Sequence, residues 1–199
     1  MTEKEKMLAG MLYRVGPNAD PQAKEELERA RELCALFNRL LSSQKEERAA
    51  LLRQLLGRTG EHFHIEQNFW CDFGSNIEIG ENFFSNHDLV ILDCARVTFG
   101  RNCFIGPQCG FYTAAHPIDA EQRNAGYQYA LPITVGDDVW FGGHVSVMPG
   151  VRIGSGTVIG AESVVTKDIP AGVVAAGNPC RVLREITEAD KLPENVVLY

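Results

Sequence analysis

Residues 133–165 read ITVGDDVWFGGHVSVMPGVRIGSGTVIGAESVV, and their spacing decides the fold. Val135, Phe141, Val147, Ile153, Ile159 and Val165 recur at intervals of six, and a second apolar lane runs two residues ahead through Ile133, Val139, Val145 and Val151. Gly136, Gly142, Gly154 and Gly160 each follow the first lane. A six-residue unit is too short to hold a strand and return beside itself, so neither a hairpin meander nor a helix accounts for the period; a solenoid does. If each unit supplies one short strand and one corner, three units close a triangular coil, with the lane residue inward and a Gly or Asn relieving the corner. The run GSGTVIG at 154–160 looks superficially like a dinucleotide-binding loop, but its spacing is off by one residue and no long helix follows, so these glycines read as corners.

Moving toward the N-terminus, the pattern returns at Phe99, Ile105 and Phe111, followed by Gly100 and Gly106, and at Ile77-Glu78-Ile79-Gly80. It lapses between Tyr112 and Leu131 and then resumes in register. A loop of that length inside a regular solenoid is more often functional than accidental. The loop carries His116 among small residues that leave it accessible. Residues 3–58 are of another kind, rich in Ala, Leu, Glu, Arg and Lys. Leu27, Leu33, Leu36, Phe37, Leu40 and Leu41 predict an amphipathic helix that Asp20-Pro21 opens as N-cap and first turn. A second helix is predicted over Gln44–Leu56, stopped by Gly57. The expected organisation is a helical N-terminal segment (1–58), a β-solenoid (59–185) with a protruding loop (112–131), and a C-terminal tail (186–199).

Composition narrows the function. The 199 residues are 45% hydrophobic and 23% charged, with no apolar run long enough to cross a bilayer. A net charge of −7 argues against a nucleic-acid surface. The charged opening Met1-Thr2-Glu3-Lys4-Glu5-Lys6 leads into no signal-like apolar stretch, so a cytoplasmic location is expected. There the six cysteines (Cys34, Cys71, Cys94, Cys103, Cys109, Cys180) stay thiols, and none has CxxC spacing for zinc. No G-x-S-x-G elbow supplies a serine nucleophile, and no cysteine sits in an activating setting. His62, His64, His87 and His144 read as surface or packing residues. Lys167, Arg181 and Arg184 either form a basic cluster for a phosphorylated ligand or are ordinary solvated cations.

The chain resembles the maltose/galactoside O-acetyltransferase family of hexapeptide-repeat proteins, most closely the maltose type. The resemblance rests on Glu5–Gly10 with Leu12-Tyr13-Arg14, Cys71–Gly74, Phe83–Asn86, Leu92-Asp93, Tyr112–Ile118, Val139–Gly143, Val165–Asp168 and Gly177-Asn178-Pro179. It implies a mainly β fold, a left-handed parallel β-helix, in a homotrimer with active sites between subunits. The implied reaction moves an acetyl group from acetyl-CoA to a sugar hydroxyl, with His116 as general base and no metal. By residue matching, Asp72, Asn86, Asp93 and Trp140 would line the acceptor side. Gly143 (through its N–H), Ala161, Thr166, Lys167, Arg181 and Arg184 would hold CoA. Two departures touch the acceptor pocket: Cys94 stands where some relatives carry an acid, and Arg14-Val15-Gly16-Pro17 carries a small insertion before Asp20. Rival readings are a non-sugar acceptor such as serine or an antibiotic, a zinc hydratase on the same fold, and a scaffold without chemistry.

Overall fold

The computed structural model describes residues 1–16 and 19–195. Its body is a parallel β-solenoid whose three faces are three sheets. The first face stacks Ile77–Ile79, Val97–Phe99, Ile133–Val135 and Arg152–Ile153. The second stacks Phe63–Ile65, Phe83–Ser85, Phe104–Ile105, Trp140–Phe141, Val158–Ile159 and Val173–Ala176, and the third Trp70–Cys71, Val90–Leu92, Gly110–Tyr112, Ser146–Val147 and Val164–Val165. The lane residues point inward as expected: Phe141, Val147, Ile159 and Val165 are fully buried. Phe83, Phe99, Phe111 and Phe141 form an internal column with edge-to-face contacts at 5.1, 4.8 and 5.3 Å. Each such contact adds about 0.5–1.5 kcal/mol beyond the area it buries.

The three edges of the prism differ. At the two tight edges a single residue takes the left-handed conformation: Asn82, Asn102 and Asp138 between the first and second faces, and Asn68, Asp88, Gln108, His144 and Glu162 between the second and third. Short polar side chains tolerate that conformation. They also bond up the edge, Asn82 to Asn102 at 3.0 Å and Asn102 to Asp138 at 2.7 Å.

The post-lane glycines were expected to relieve these corners, and they do not. A Cβ on Gly142 would lie 2.5 Å from the Ala161 nitrogen of the next coil, and one on Gly100 2.7 Å from the Asp137 nitrogen. Those glycines permit coils to stack closely, while polar residues, mostly Asn and Asp, turn the chain in the earlier coils and Gly156 and Gly172 turn it in the later ones.

The wide edge, between the third and first faces, explains why the six-residue lane breaks up before residue 99. In the early coils paired residues are twenty apart, as Ile77 with Val97, whereas in the later ones they are eighteen apart, as Trp140 with Val158. The extra residues lie in the corners 72–76 and 92–96, and the loop after Tyr112 leaves from the same edge.

Helices α1 (Glu3–Leu8), α2 (Pro21–Arg39) and α3 (Lys45–Leu55) cap the first coil. Asp20 caps α2 through the Gln22 and Ala23 N–H groups, with Pro21 in the first turn, as predicted. The exposed rim of a first coil would present unpaired backbone groups. Asn38 of α2 covers one such pair, its Nδ2 donating to the Phe69 carbonyl at 2.9 Å and its Oδ1 accepting the Phe69 N–H at 3.0 Å. From α3, the buried Arg48 lies 4.4 Å over the Phe37 ring and donates to the Ile65 carbonyl at 2.8 Å. All six cysteines are buried free thiols, and Cys34 of α2 meets Cys71 with their sulfurs 3.7 Å apart.

Candidate active site

The wide edge and the N-terminal cap enclose a cavity of about 420 Å³. Its polar groups include Arg31, Asp72, Cys94 and Gln128, and its apolar walls include Met7, Leu27 and Phe73. Two buried polar residues build the wall. Asp93 Oδ1 accepts the Asp72 and Phe73 N–H groups at 3.0 and 2.9 Å, and its own carbonyl accepts Asn76 Nδ2 at 2.7 Å. Thr113 then joins the second corner to the loop, its hydroxyl accepting the Ala95 N–H at 3.0 Å and donating to the Leu92 carbonyl at 2.6 Å.

Asp93 is therefore not a sugar contact as expected. It is wholly enclosed, and its oxygens are engaged by the backbone they hold, so it acts by positioning Asp72. Burial is the chief cause that raises the Asp93 carboxyl to about 6, and the neighbouring Asp72 adds to it.

Asp72 does line the cavity, its carboxyl raised mainly by burial. The Cys94 thiol donates to Asp72 Oδ2 at 3.4 Å, and burial, helped by that carboxylate, pushes the thiol up to about 12. Cys94 is thus a neutral donor where an acid would have been a second charge. Val15, Gly16 and Ala19 also line the cavity, while Pro17 and Asn18 of the inserted segment lie outside the described residues.

A small antiparallel sheet carries the loop into this site. Tyr127–Ala130 pairs on one side with Ala114–Ala115 and on the other with Tyr13–Arg14. Helix α4 (Ala120–Asn124), capped by Asp119, forms the tip of the loop. His116 follows the Ala114–Ala115 strand and is exposed. Its Nδ1 lies 3.2 Å from the Tyr127 carbonyl. A carbonyl only accepts, so this contact puts the proton on Nδ1 and leaves the Nε2 lone pair free. His116 stands outside the cavity lining, but Gln128, opposite Tyr13 in the same sheet, is part of it.

The remaining predicted site residues sit elsewhere. Trp140 is half exposed on the outer second face beside Phe104. Gly143 and Ala161 occupy equivalent positions in successive coils at a tight edge, because Trp140–Phe141 pairs with Val158–Ile159. Among the described residues neither of their N–H groups has an intrachain acceptor. Asn86 lies on the same edge, its Oδ1 accepting the His87 N–H at 2.8 Å.

Thr166 and Lys167 are exposed in the last wide-edge corner. Arg181 and Arg184 lie on a return strand, Arg181–Glu185, antiparallel to Val173–Ala176. Arg184 is not a free cation: Asp190 takes both of its terminal nitrogens at 2.7 and 2.6 Å, and that contact lowers the Asp190 carboxyl to about 2. Within one protomer, then, His116 and Asp72 stand at the wide edge, and Asn86, Gly143 and Ala161 at a tight one.

Sequence reasoning gave no site role to Tyr13, Phe73, Gln128 or Thr113. Tyr13 and Gln128 reach the cavity through a pairing far apart in the chain, and although Tyr13, Phe73 and Thr113 lie within motifs of the resemblance, nothing in those motifs pointed to these side chains. Three of the other histidines stand beside carboxylates: His62 lies 2.5 Å from Glu81, His64 lies 3.0 Å from Glu66 and stacks on Phe84, and His144 lies 3.9 Å from Glu162. Among the described residues no three His, Cys, Asp or Glu side chains converge as a metal set, and no helix is long and apolar enough to cross a membrane.

Two family models match the chain: the maltose acetyltransferase hexapeptide capping motif over residues 6–60 and the bacterial transferase hexapeptide (six repeats) over residues 132–167. The galactoside O-acetyltransferase of Escherichia coli K12 is 42% identical over 191 residues, covering 96% of this chain and 93% of its own length. The crystal structure of a maltose O-acetyltransferase from Clostridium difficile 630 superposes with a TM-score of 0.91 at 49% identity, covering 94% of this chain and 99% of that one. A galactoside acetyltransferase in complex with coenzyme A also gives 0.91, at 42% identity over 96% of this chain and 94% of that one.

Proposed function

The chain belongs to the maltose/galactoside O-acetyltransferase family of acetyl-CoA-dependent enzymes, and from that premise we propose that it acetylates a sugar hydroxyl with His116 as general base. The observation that carries this reading is the Nδ1 contact to the Tyr127 carbonyl, which leaves Nε2 free on the small sheet whose Gln128 lines a cavity of small-sugar size. Nε2 takes the acceptor proton as that oxygen bonds to the thioester carbonyl carbon. The Gly143 N–H stabilises the oxyanion, and a glycine serves as well as a serine because the donor is backbone. The C–S bond then breaks, and the imidazolium returns the proton to the departing sulfur, giving an acetyl ester and free CoA. Ala161, Thr166, Lys167 and Arg181 hold the CoA, and Trp140 walls its acetyl and pantetheine arm. Arg184, tied to Asp190, contributes less than a free arginine would.

Because the two halves of this site stand on different edges of one prism, a second copy must complete it. We read the assembly as a homotrimer in which the tight edge of one protomer, with Asn86, Trp140 and Gly143, meets the wide edge of the next. A heterologous contact of this kind closes as a ring. The exposed aromatic pair Phe104 and Trp140 on the second face supports burial there. The six free thiols support a reducing, cytoplasmic setting.

The test is release of free CoA from acetyl-CoA with maltose, a glucoside and a galactoside, set against serine and a hydroxylated antibiotic. Turnover of only the non-sugars would sink the sugar reading. Mixing inactive His116→Ala and Trp140→Ala protomers after mild dissociation should restore part of the activity, and no restoration would refute a shared site.

A further inference from the structure

The cavity wall holds a buried polar atom that the fold leaves unpaired. Tyr13 is 4% exposed, and its hydroxyl is the buried side-chain polar atom without a hydrogen-bond partner among the described residues. A buried hydroxyl left unpaired is costly, and native proteins seldom carry one without a reason. Tyr13 lines the cavity beside Asp72 and the Cys94 thiol, a weak hydrogen-bonding group, and its oxygen meets neither with hydrogen-bond geometry. Burial foremost, then those two neighbours, raises its hydroxyl far above the ordinary range, so it stays a neutral O–H that can both donate and accept.

The strand Tyr13–Arg14 is held rigidly, opposite Tyr127–Gln128 on one side and with the Arg14 N–H donating to Glu3 Oε2 at 2.5 Å. The ring itself is packed into the interior, so its hydroxyl faces the cavity wall and not bulk water. Around it Met7, Phe73, Cys94, Ala95 and Ala130 form a small apolar cluster, and the phenol, the Asp72 carboxyl and, further along the lining, Arg31 and Gln128 are set into it as separate polar groups. An apolar wall with separated hydrogen-bonding groups suits a saccharide ring, which offers a C–H face and hydroxyls around its rim.

Building on the sugar-acetyltransferase reading, we propose that Tyr13 is a specificity-determining residue. Its hydroxyl bonds to an acceptor hydroxyl other than the one acetylated, and so selects which sugars are held in the cavity. The unpaired phenol is a binding contact kept at the expense of stability.

Tyr13→Phe tests this because it removes the oxygen and keeps the ring. The acceptor KM should rise on the order of tenfold, with kcat and the acetyl-CoA KM unchanged. Tm should hold steady or rise, since no intrachain bond is lost. Singly deoxygenated versions of the best sugar from the panel should identify the hydroxyl concerned. One of them should suffer the same KM penalty in the wild type, and little further penalty in Tyr13→Phe.

An unchanged acceptor KM in Tyr13→Phe would overturn the proposal. So would a fall in Tm with no change in KM, because that marks a structural phenol. If the wild type turns over none of the sugars, the sugar reading itself falls and takes this proposal with it; turnover by the wild type with an indifferent Tyr13→Phe removes the Tyr13 assignment alone.

Discussion

The tight and wide edges of the prism are built by the same repeat and do opposite things. At a tight edge every coil turns on one left-handed residue, so Gly143 and Ala161 recur in strict register and present equivalent N–H groups. At the wide edge the coils differ in length, and Asp93 and Thr113 must bond irregular corners together. In the proposed site that regularity suits a donor that is always the same molecule, with Thr166 and Lys167 meeting the donor from the last wide-edge corner. Irregularity suits an acceptor that differs from one enzyme to another.

The sharpest way to break this division is at His116. His116→Ala should lower kcat by about two to four orders of magnitude, as expected when a general base is lost, while the acetyl-CoA KM barely moves. Steady-state assays of thiol release would separate the two, and a defect mainly in acetyl-CoA KM would merge the edges functionally.

Asp93 offers a test of what the wide edge costs. Its carboxyl rises to about 6 from the ordinary 3.8, so the folded state binds the proton more tightly than the unfolded chain does. Stability should therefore fall by about 3 kcal/mol as pH rises from about 4 to 6, then level off. Urea unfolding across that range should show this fall in the wild type and lose it in Asp93→Asn. A component that runs the other way would contradict the assignment.

At the tight edge the limit is space. Gly142→Ala sets a Cβ 2.5 Å from the Ala161 nitrogen, and overpacking of this kind costs about 2 kcal/mol. Gly156→Ala is the comparison. It has φ +66 and no neighbour within 4 Å, so it should cost only about 1 kcal/mol of backbone strain. Equal thermal shifts for the two would mean that stacking is not what the post-lane glycines serve.

The smallest effect belongs to the far end of the wide edge. Lys167→Ala should raise the acetyl-CoA KM roughly fivefold, about the worth of one charge-assisted contact, without touching the acceptor KM. Arg184→Ala should do less, because Asp190 already occupies that guanidinium.

These contrasts also explain what could be read in advance. Eighteen-residue coils keep Val135 through Val165 in phase, so the solenoid stands out there, whereas two added residues per coil slip the phase between Cys71 and Phe99. The glycines were seen but given the wrong task, because stacking against the next coil is invisible in one strand of text. Asp20-Pro21 announced α2 locally; α1 and the two-residue strand at Tyr13 had no comparable signal. His116 was singled out because its loop interrupts a pattern and matches the family motif, whereas nothing drew attention to Tyr13, which long-range pairing brings to the cavity. Asp93 and Thr113 show how a buried polar residue can matter to a site without touching a ligand.

The spare residues of the wide edge have a consequence for how such a protein can change. A closed coil has a fixed circumference, and lengthening a tight edge would push every lane out of step. The wide edge absorbs two residues after Cys71, two more after Leu92 and a whole loop after Tyr112, and the coils beyond still pair in register. Segments exchanged there leave the stacked tight edges intact, so the molecule has one seam along which it can be re-tailored.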